Sequence, residues 1–222
     1  RYLKIKTLND NAALNYDDIG DDYFDLLVVG FGGDERIRYA KELRGETNVL
    51  KNLAAATEED KALIYAADTD NYGIIKHSAA VFENGKLLGI SDMTTAYSDT
   101  PYMPGANGKL YDMKFGKIGL AVGDDLLSYD LMRSFAVCGA DAVIAITRLD
   151  VKETDAILVR AYSYLLGLPF LLVGSTKNVC SDPKGNLTAK DENGAYTLTP
   201  LREYAVLAEK IVYECKKSGK PV

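Results

Sequence analysis

The chain has 222 residues, and its 26 Lys and Arg against 32 Asp and Glu give a formal net charge of −6. Apolar residues make up 47% and charged residues 26%, which is typical of a globular protein that can bury a large core without disulfide bonds. No basic patch stands out, so nucleic acid and anionic membrane surfaces are poor candidates for partners. We expect one layered domain over residues 1–222.

Histidine and cysteine content restricts the chemistry further. The chain has one histidine, His77, and three cysteines, Cys138, Cys180 and Cys215, which have no metal-binding spacing. A multi-histidine metal site is therefore excluded, and no metal or cofactor is expected. The odd number of cysteines favours a reducing compartment. No apolar stretch is long enough to span a membrane and the start lacks a signal-peptide core, so we expect a cytoplasmic protein with no membrane partner.

Apolar runs in the first half predict strands interrupted by a hairpin and a helical region. The helical region spans Asp34 to Ala56 and is divided at Gly45. Asn84-Gly85 is a strong hairpin signal because both residues tolerate a positive φ. A loop follows over Ser91 to Asn107. The predicted strands are Tyr2–Leu8, Asp25–Gly30, Ala62–Ala67, Ile74–Phe82 and Lys86–Ile90.

The second half alternates buried strands with helices. Its predicted strands are Leu110–Met113, Lys117–Val122, Ala142–Thr147 and Pro169–Gly174. Helices are expected over Leu126–Cys138, from an N-cap at Asp150 to about Leu166, and from Thr199 to about Lys217. Turn signals occupy residues 181–198. Alternation of this kind predicts an α/β layered fold with a mixed sheet.

Several segments resemble, in order and spacing, the carbon-nitrogen hydrolase (nitrilase) superfamily. The resemblance covers most of residues 62–190 and, more weakly, residues 2–31. It is carried by HSAAVFENGKLLG, PGANGKLYDMKFGKIGLAV, SYDLMRSFAVCGADAVI, ILVRAYSYLLGLPFLLVGS with its Arg160-Ala161 pair, and SDPKGNL.

The resemblance implies a fold, an assembly and a chemistry. The fold is an αββα sandwich with helices on the outer faces, and the assembly is a homodimer formed through those helices. Members of the family cleave or condense C–N bonds with a cysteine thiolate, a glutamate base and a lysine that stabilises the oxyanion. A thiolate needs a proton acceptor, and the developing negative oxygen needs a hydrogen-bond donor.

The chain departs from the family pattern at all three catalytic positions. Gly123 stands where the nucleophile should end the strand Lys117–Val122, although Asp125 matches the aspartate usually found two residues later. Phe31 occupies the expected place of the glutamate, and Met93, next to Asp92, that of the lysine. Losing one member of a cooperative catalytic set often costs nearly as much as losing all of them, so no catalytic residue is predicted.

Other chemistry-bearing residues have simpler interpretations. Cys138 is the obvious substitute nucleophile, but its apolar neighbours predict a buried and inert thiol. Cys180 and Cys215 are not favoured either. Asp34 and Glu35 could restore a carboxylate, although acidic residues there are typical of a helix start. His77 is interpreted as a structural histidine, because the strand pattern places no carboxylate beside it.

Three acidic residues could meet at the former active-site mouth, since strand ends gather there. Asp92, Asp124 and Asp125 could bind an amine or a divalent cation, but backbone capping by Asp125 and solvation of the others are favoured. The preferred hypothesis is a nitrilase-like protein inactive toward amides and nitriles, serving as a binding, regulatory or oligomeric partner with a small-molecule ligand. The alternatives are a C–N hydrolase with a carboxylate-based site and a purely structural subunit.

Overall fold

The computed structural model describes residues 2–33, 36–97 and 100–199. Asp34, Glu35 and Cys215 therefore lie outside the described residues. The predicted C-terminal helix also lies outside them, except for Thr199.

Seven strands form one sheet, six of them from residues 3–92 and the seventh from residues 195–198. Its main path runs β12-β1-β2-β4-β5-β6, and β3 pairs with β4 beyond the end of β2. The β1, β2 and β4 strands are parallel, whereas β12, β5 and β6 pair antiparallel with their neighbours. The strands are β1 (Leu3–Leu8), β2 (Leu26–Val29), β3 (Arg36–Arg38), β4 (Ala62–Asn71), β5 (Ile74–Glu83), β6 (Lys86–Asp92) and β12 (Ala195–Leu198).

The second sheet has five strands in the order β11-β10-β9-β8-β7, with β8, β9 and β10 parallel. Its strands are β7 (Lys109–Met113), β8 (Gly116–Val122), β9 (Ala142–Ile146), β10 (Phe170–Val173) and β11 (Asn178–Ser181). The α-helices are α1 (Tyr39–Leu43), α2 (Val49–Ala55), α3 (Tyr129–Val137) and α4 (Glu153–Leu166). Short 3-10 helices cover Asn11–Ala13, Tyr16–Gly20 and Gly123–Leu127.

Three apolar clusters define four layers. The largest lies between the sheets and includes Ile64 and Val81 from the first sheet and Ile118 and Ile144 from the second. A second cluster packs α3 and α4 on the outer face of the five-stranded sheet, and a third packs α2 and the loops around it on the seven-stranded sheet. The αββα sandwich is thereby confirmed, and the inter-sheet layer is the largest of the three apolar clusters.

Several predicted boundaries are wrong for local reasons. The region predicted as helix from Asp34 contains the strand β3, and only then α1 and α2, with Gly45 between them at φ 70°. The β4 strand continues past Ala67 to Asn71 because a two-residue turn at Tyr72-Gly73 returns the chain into β5. The four extra residues include Asp68, which belongs to the candidate site.

Two helix starts also differ from the prediction. The α3 helix begins at Tyr129 rather than Leu126, because Ser128 Oγ accepts a hydrogen bond from the Leu131 amide at 3.4 Å and caps the helix there. The N-cap of α4 is Lys152 and not Asp150. The Asp150 carboxylate instead accepts hydrogen bonds from the hydroxyls of Ser175 and Thr176.

Candidate functional site

The carboxyl ends of β2, β8 and β9 meet beside Asp68 of β4 at one end of the sandwich. Along the edge of β4, β2 pairs with Leu63 to Tyr65 and β3 with Asp68 to Asp70, so the chain leaves the sheet between these two ladders. The β8 and β9 strands of the other sheet end opposite this interruption. Side chains from both sheets can therefore meet there, outside the apolar core.

A buried aspartate and histidine face each other across β4 and β5. Asp68 and His77 are direct register partners on the inter-sheet face, and each residue is only 4% exposed. His77 Nδ1 lies 2.7 Å from Asp68 Oδ1. The other oxygen of Asp68 accepts hydrogen bonds from Tyr102 Oη at 3.1 Å and from Arg148 Nη2 at 3.0 Å.

Arg148 ties the two sheets together at this point. It follows β9, and its Nη1 donates to the carbonyl oxygens of Gly32 and Gly33 at 3.0 and 3.1 Å in the loop after β2. Burial alone would raise the pKa of Asp68, but the hydrogen bond from His77 and the charges of His77 and Arg148 hold that pKa below its ordinary value. The Asp68 carboxylate is therefore stabilised in its charged form.

The imidazole of His77 is held between two aromatic rings. Phe31 stacks on it with ring centroids 3.7 Å apart and an interplanar angle of 10°. Tyr102 lies against it with ring centroids 4.7 Å apart. Together with the Asp68 contact, these rings fix the orientation of the imidazole.

Gly123 and Met93 lie beside this histidine. Gly123 has φ 58°, a conformation that favours glycine. A Cβ atom added there would lie 2.7 Å from Met93 Sδ and 3.0 Å from His77 Cδ2. Met93 Sδ also accepts a hydrogen bond from the Asp124 backbone amide at 3.4 Å. A side chain at position 123 thus requires its neighbours to move.

The structure places Phe31, Met93 and Gly123 around His77. That they stand at the catalytic positions of the family stays a prediction. The three acidic residues predicted to meet there, Asp92, Asp124 and Asp125, instead bind different parts of the chain. Asp92 binds Lys76 Nζ and Ser78 Oγ, both at 2.8 Å.

Asp124 and Asp125 also bind different parts of the chain. Asp124 accepts from the Tyr97 amide at 3.1 Å. Asp125 Oδ1 accepts at 2.8 Å from the amide and hydroxyl of Thr94 and from the Thr95 amide, and Oδ2 accepts from the Val122 amide at 3.3 Å. Burial raises the pKa of Asp125 despite these donors. Its contacts are those of a backbone-capping residue.

A cavity of about 120 Å³ opens at this cluster. Its lining includes His77, Met93, Tyr102, Gly123, Asp124 and Arg148. The volume corresponds to roughly four water molecules at about 30 Å³ each. A small ligand entering it would meet one histidine, one acidic and one basic residue among this lining.

Neither cysteine in the described residues belongs to this cavity. Cys138 is exposed at the end of α3, so the prediction of a buried thiol there is wrong: the last helical turn leaves its apolar neighbour Val137 exposed as well. Cys180 is buried in β11, and burial raises the pKa of its thiol to about 12. A thiol with that pKa is a poor nucleophile near neutral pH.

The described part of the chain contains no group of three His, Cys, Asp or Glu side chains that could hold a metal ion. Among the same residues, no helix is both long enough and apolar enough to cross a membrane.

Asp68, Tyr102 and Arg148 are site residues that sequence reasoning missed. One signal was present for Asp68. A two-residue turn at Tyr72-Gly73 pairs position 71 with 74, and the same register pairs 68 with 77. Tyr102 and Arg148 carry no such signal, because they reach Asp68 across separations of 34 and 80 residues.

The fold is that of carbon-nitrogen hydrolases and nitrilase-superfamily amidases. A carbon-nitrogen hydrolase from Helicobacter pylori G27 matches with a TM-score of 0.71 at 14% identity, covering 95% of this chain and 93% of the other. A mutant of the amidase from Nesterenkonia sp. AN1, with acrylamide added at its active-site cysteine, matches with a TM-score of 0.72 at 16% identity over 96% and 98% of the two chains. No family model and no curated protein sequence matches this chain.

Proposed function

We propose that this protein uses the carbon-nitrogen hydrolase fold without thiolate chemistry and acts by binding a small ligand in the cavity beside His77. The proposal rests on the geometry at Gly123. A Cβ atom there would lie 2.7 Å from Met93 Sδ on a backbone with φ 58°, so a nucleophilic side chain would require Met93 to move and would strain the backbone. Because no cysteine lines the cavity among the described residues, an acyl-thioester has no place to form there.

A carboxylate-based C–N hydrolase is less well supported. Such a site would need acidic residues that face one another or one that is poised to exchange a proton. The pKa of Asp125 is raised, but its oxygens already accept from three backbone amides and a hydroxyl. Asp92 is paired with Lys76. These carboxylates have structural partners that catalysis would have to displace.

The proposal includes a regulatory or oligomeric role in the cytoplasm. Large apolar side chains on the outer face of α4 support pairing through helices: Ile157, Tyr164 and Leu165 are 58%, 67% and 64% exposed. A homodimer would bury this face. Size-exclusion chromatography with mass detection at low concentration tests the pairing, and a monomer would leave only the role of a ligand-binding protein.

The test of the chemistry is a panel of small amides and nitriles followed by intact-mass analysis, with the Nesterenkonia amidase as positive control. We expect no product and no acyl adduct on this protein. An adduct on any cysteine would overturn the proposal. Binding is followed separately through the NMR signals of the single histidine, which should shift when a ligand enters the cavity.

A further inference from the structure

His77 lines the cavity and is paired with an acidic residue outside that lining, an arrangement that ligand binding alone does not require. Asp68 Oδ1 lies 2.7 Å from His77 Nδ1, and both side chains are buried. A carboxylate that accepts a hydrogen bond at Nδ1 keeps the proton on that nitrogen. The Nε2 atom of neutral His77 then carries a lone pair and can accept a proton.

The edge of the imidazole opposite the Asp68 contact lies beside Gly123. His77 Cδ2, which is bonded to Nε2, approaches within 3.0 Å of the Cβ position of Gly123, and both residues line the cavity. Phe31 and Tyr102 prevent the ring from tilting. A base held in one orientation loses little freedom when it takes up a proton from a bound molecule.

Two hydrogen-bond donors lie in the same cavity. The amide of Asp124 donates to Met93 Sδ at 3.4 Å, and a thioether sulfur is a weak acceptor that an oxygen can replace. Arg148 lines the cavity as well, and its guanidinium is held there by Asp68 and by the Gly32 and Gly33 carbonyl oxygens. Backbone amides and guanidinium groups are typical stabilisers of a developing oxyanion.

We propose that Asp68 and His77 form a general-base pair that activates water for hydrolysis of a small, activated carboxylic ester. His77 Nε2 removes one proton from water while the water oxygen forms a bond to the acyl carbon. The carbonyl electron pair moves onto oxygen, where the Asp124 amide and Arg148 stabilise it. Collapse breaks the bond to the leaving oxygen, which takes the proton from the imidazolium. The products are a carboxylic acid and an alcohol.

The size of the cavity defines the substrate class. A volume of about 120 Å³ accommodates an acetyl or propionyl group and one water molecule. Leu149 also lines the cavity and is 64% exposed, so the leaving group can extend past it into solvent. Short-chain acyl esters should therefore react faster than long-chain ones.

Reactivity should increase with pH, because only neutral His77 can accept a proton. The charged and titratable groups that face the imidazole are Asp68 from β4, Tyr102 from the loop after β6, Asp124 after β8 and Arg148 after β9. Asp68 acts as a positioning residue, since it holds the proton on Nδ1 and stabilises the imidazolium formed in the reaction.

The test measures hydrolysis of p-nitrophenyl acetate by the protein carrying Cys138→Ser, Cys180→Ala and Cys215→Ser, which removes every thiol. We expect His77→Gln to lower the rate by about 100-fold and Asp68→Asn to lower it while keeping the shape of the side chain. The surface variant Asp112→Asn should leave the rate unchanged. A rate that is unaffected by His77→Gln would overturn the proposal.

A second measurement does not depend on the stability of a variant. The single histidine gives one set of imidazole NMR signals, and we expect the proton on Nδ1. The midpoint of the pH–rate profile should coincide with the titration midpoint of those signals, which a purely structural histidine would not produce. A mismatch, or a proton on Nε2, would overturn the proposal. Neither result bears on thiolate chemistry, which the acyl-adduct experiment tests separately.

Discussion

Asp68 and Asp125 are two buried carboxylates at the same end of the sandwich, and different kinds of partner stabilise them. Asp68 faces a histidine, a tyrosine and an arginine, and its pKa is lowered. Among the described residues, Asp125 accepts hydrogen bonds from the neutral donors of Thr94, Thr95 and Val122, and burial keeps its pKa raised. Neutral donors are thus enough to hold a loop in place. The ion-pair partners of Asp68 stabilise a charge beside a cavity, which capping alone does not require.

The largest expected effect that tests this comparison is that of Asp68→Ala. Removing the carboxylate leaves Arg148 Nη2 and the buried His77 Nδ1 without their acceptor, and we expect the free energy of unfolding to fall by about 3 kcal/mol. Urea denaturation at neutral pH measures it. Asp112→Ala is the matched control, because that carboxylate is 82% exposed and its ion pair with Lys117 is 3.8 Å long. Equal losses in both variants would contradict the role of Asp68.

Asp125→Ala should have the next largest effect. It leaves three backbone amides without their acceptor, and we expect a loss of about 2 kcal/mol in the free energy of unfolding. Hydrogen exchange should show faster exchange at Thr94, Thr95 and Val122. If exchange stayed slow at these amides, the capping role of Asp125 would be wrong.

The two carboxylates should affect stability in opposite directions when the pH changes. Asp68 has a lowered pKa in the fold, so its stabilisation is present above the unfolded value of 3.8 and is lost as the pH falls below it. Asp125 has a raised pKa, so its stabilisation is present below 3.8 and is lost as the pH rises through the folded value.

Urea denaturation between about pH 7 and pH 3 of the unmodified protein, Asp68→Asn and Asp125→Asn separates these contributions. The advantage of the unmodified protein over Asp68→Asn should shrink on acidification, whereas its stability relative to Asp125→Asn should increase. Parallel curves for the two variants would show that the carboxylates do not differ in their folded state.

The smallest effects are expected from removing one donor from each carboxylate. Tyr102→Phe deletes the hydroxyl that donates to Asp68, and Thr94→Val deletes the one that donates to Asp125. Each should cost about 1 kcal/mol in the free energy of unfolding. Tyr102→Phe should also alter the NMR titration of His77, whereas Thr94→Val should not. A shift in both variants would mean that the two networks are coupled.

The strands were predictable because burial on both faces leaves long apolar runs. Lys117–Val122 and Leu110–Met113 were each placed to within one residue of β8 and β7. Helix starts were less accurate. Asp150 has a typical N-cap side chain, but it binds the hydroxyls of Ser175 and Thr176, and the helix begins after Lys152 instead. Three-dimensional packing decides between such alternatives.

Half of the candidate site could be found in the sequence. Phe31, Met93 and Gly123 were singled out by the resemblance to the carbon-nitrogen hydrolase family, and the structure groups them around His77. Asp68 was missed because the predicted strand ended at Ala67, whereas β4 continues to Asn71. A hairpin register counted back from Tyr72-Gly73 would have paired it with His77.

The sequence by itself determined the alternation of strands and helices, the absence of a second histidine and the glycine at position 123, because composition and local periodicity record these directly. Only the tertiary structure decided that Asp68 accepts hydrogen bonds from Tyr102 and Arg148, and that the Met93 side chain packs beside Gly123. These contacts join residues from both sheets. Their energy depends on burial and on distance in space, neither of which leaves a periodic pattern along the chain.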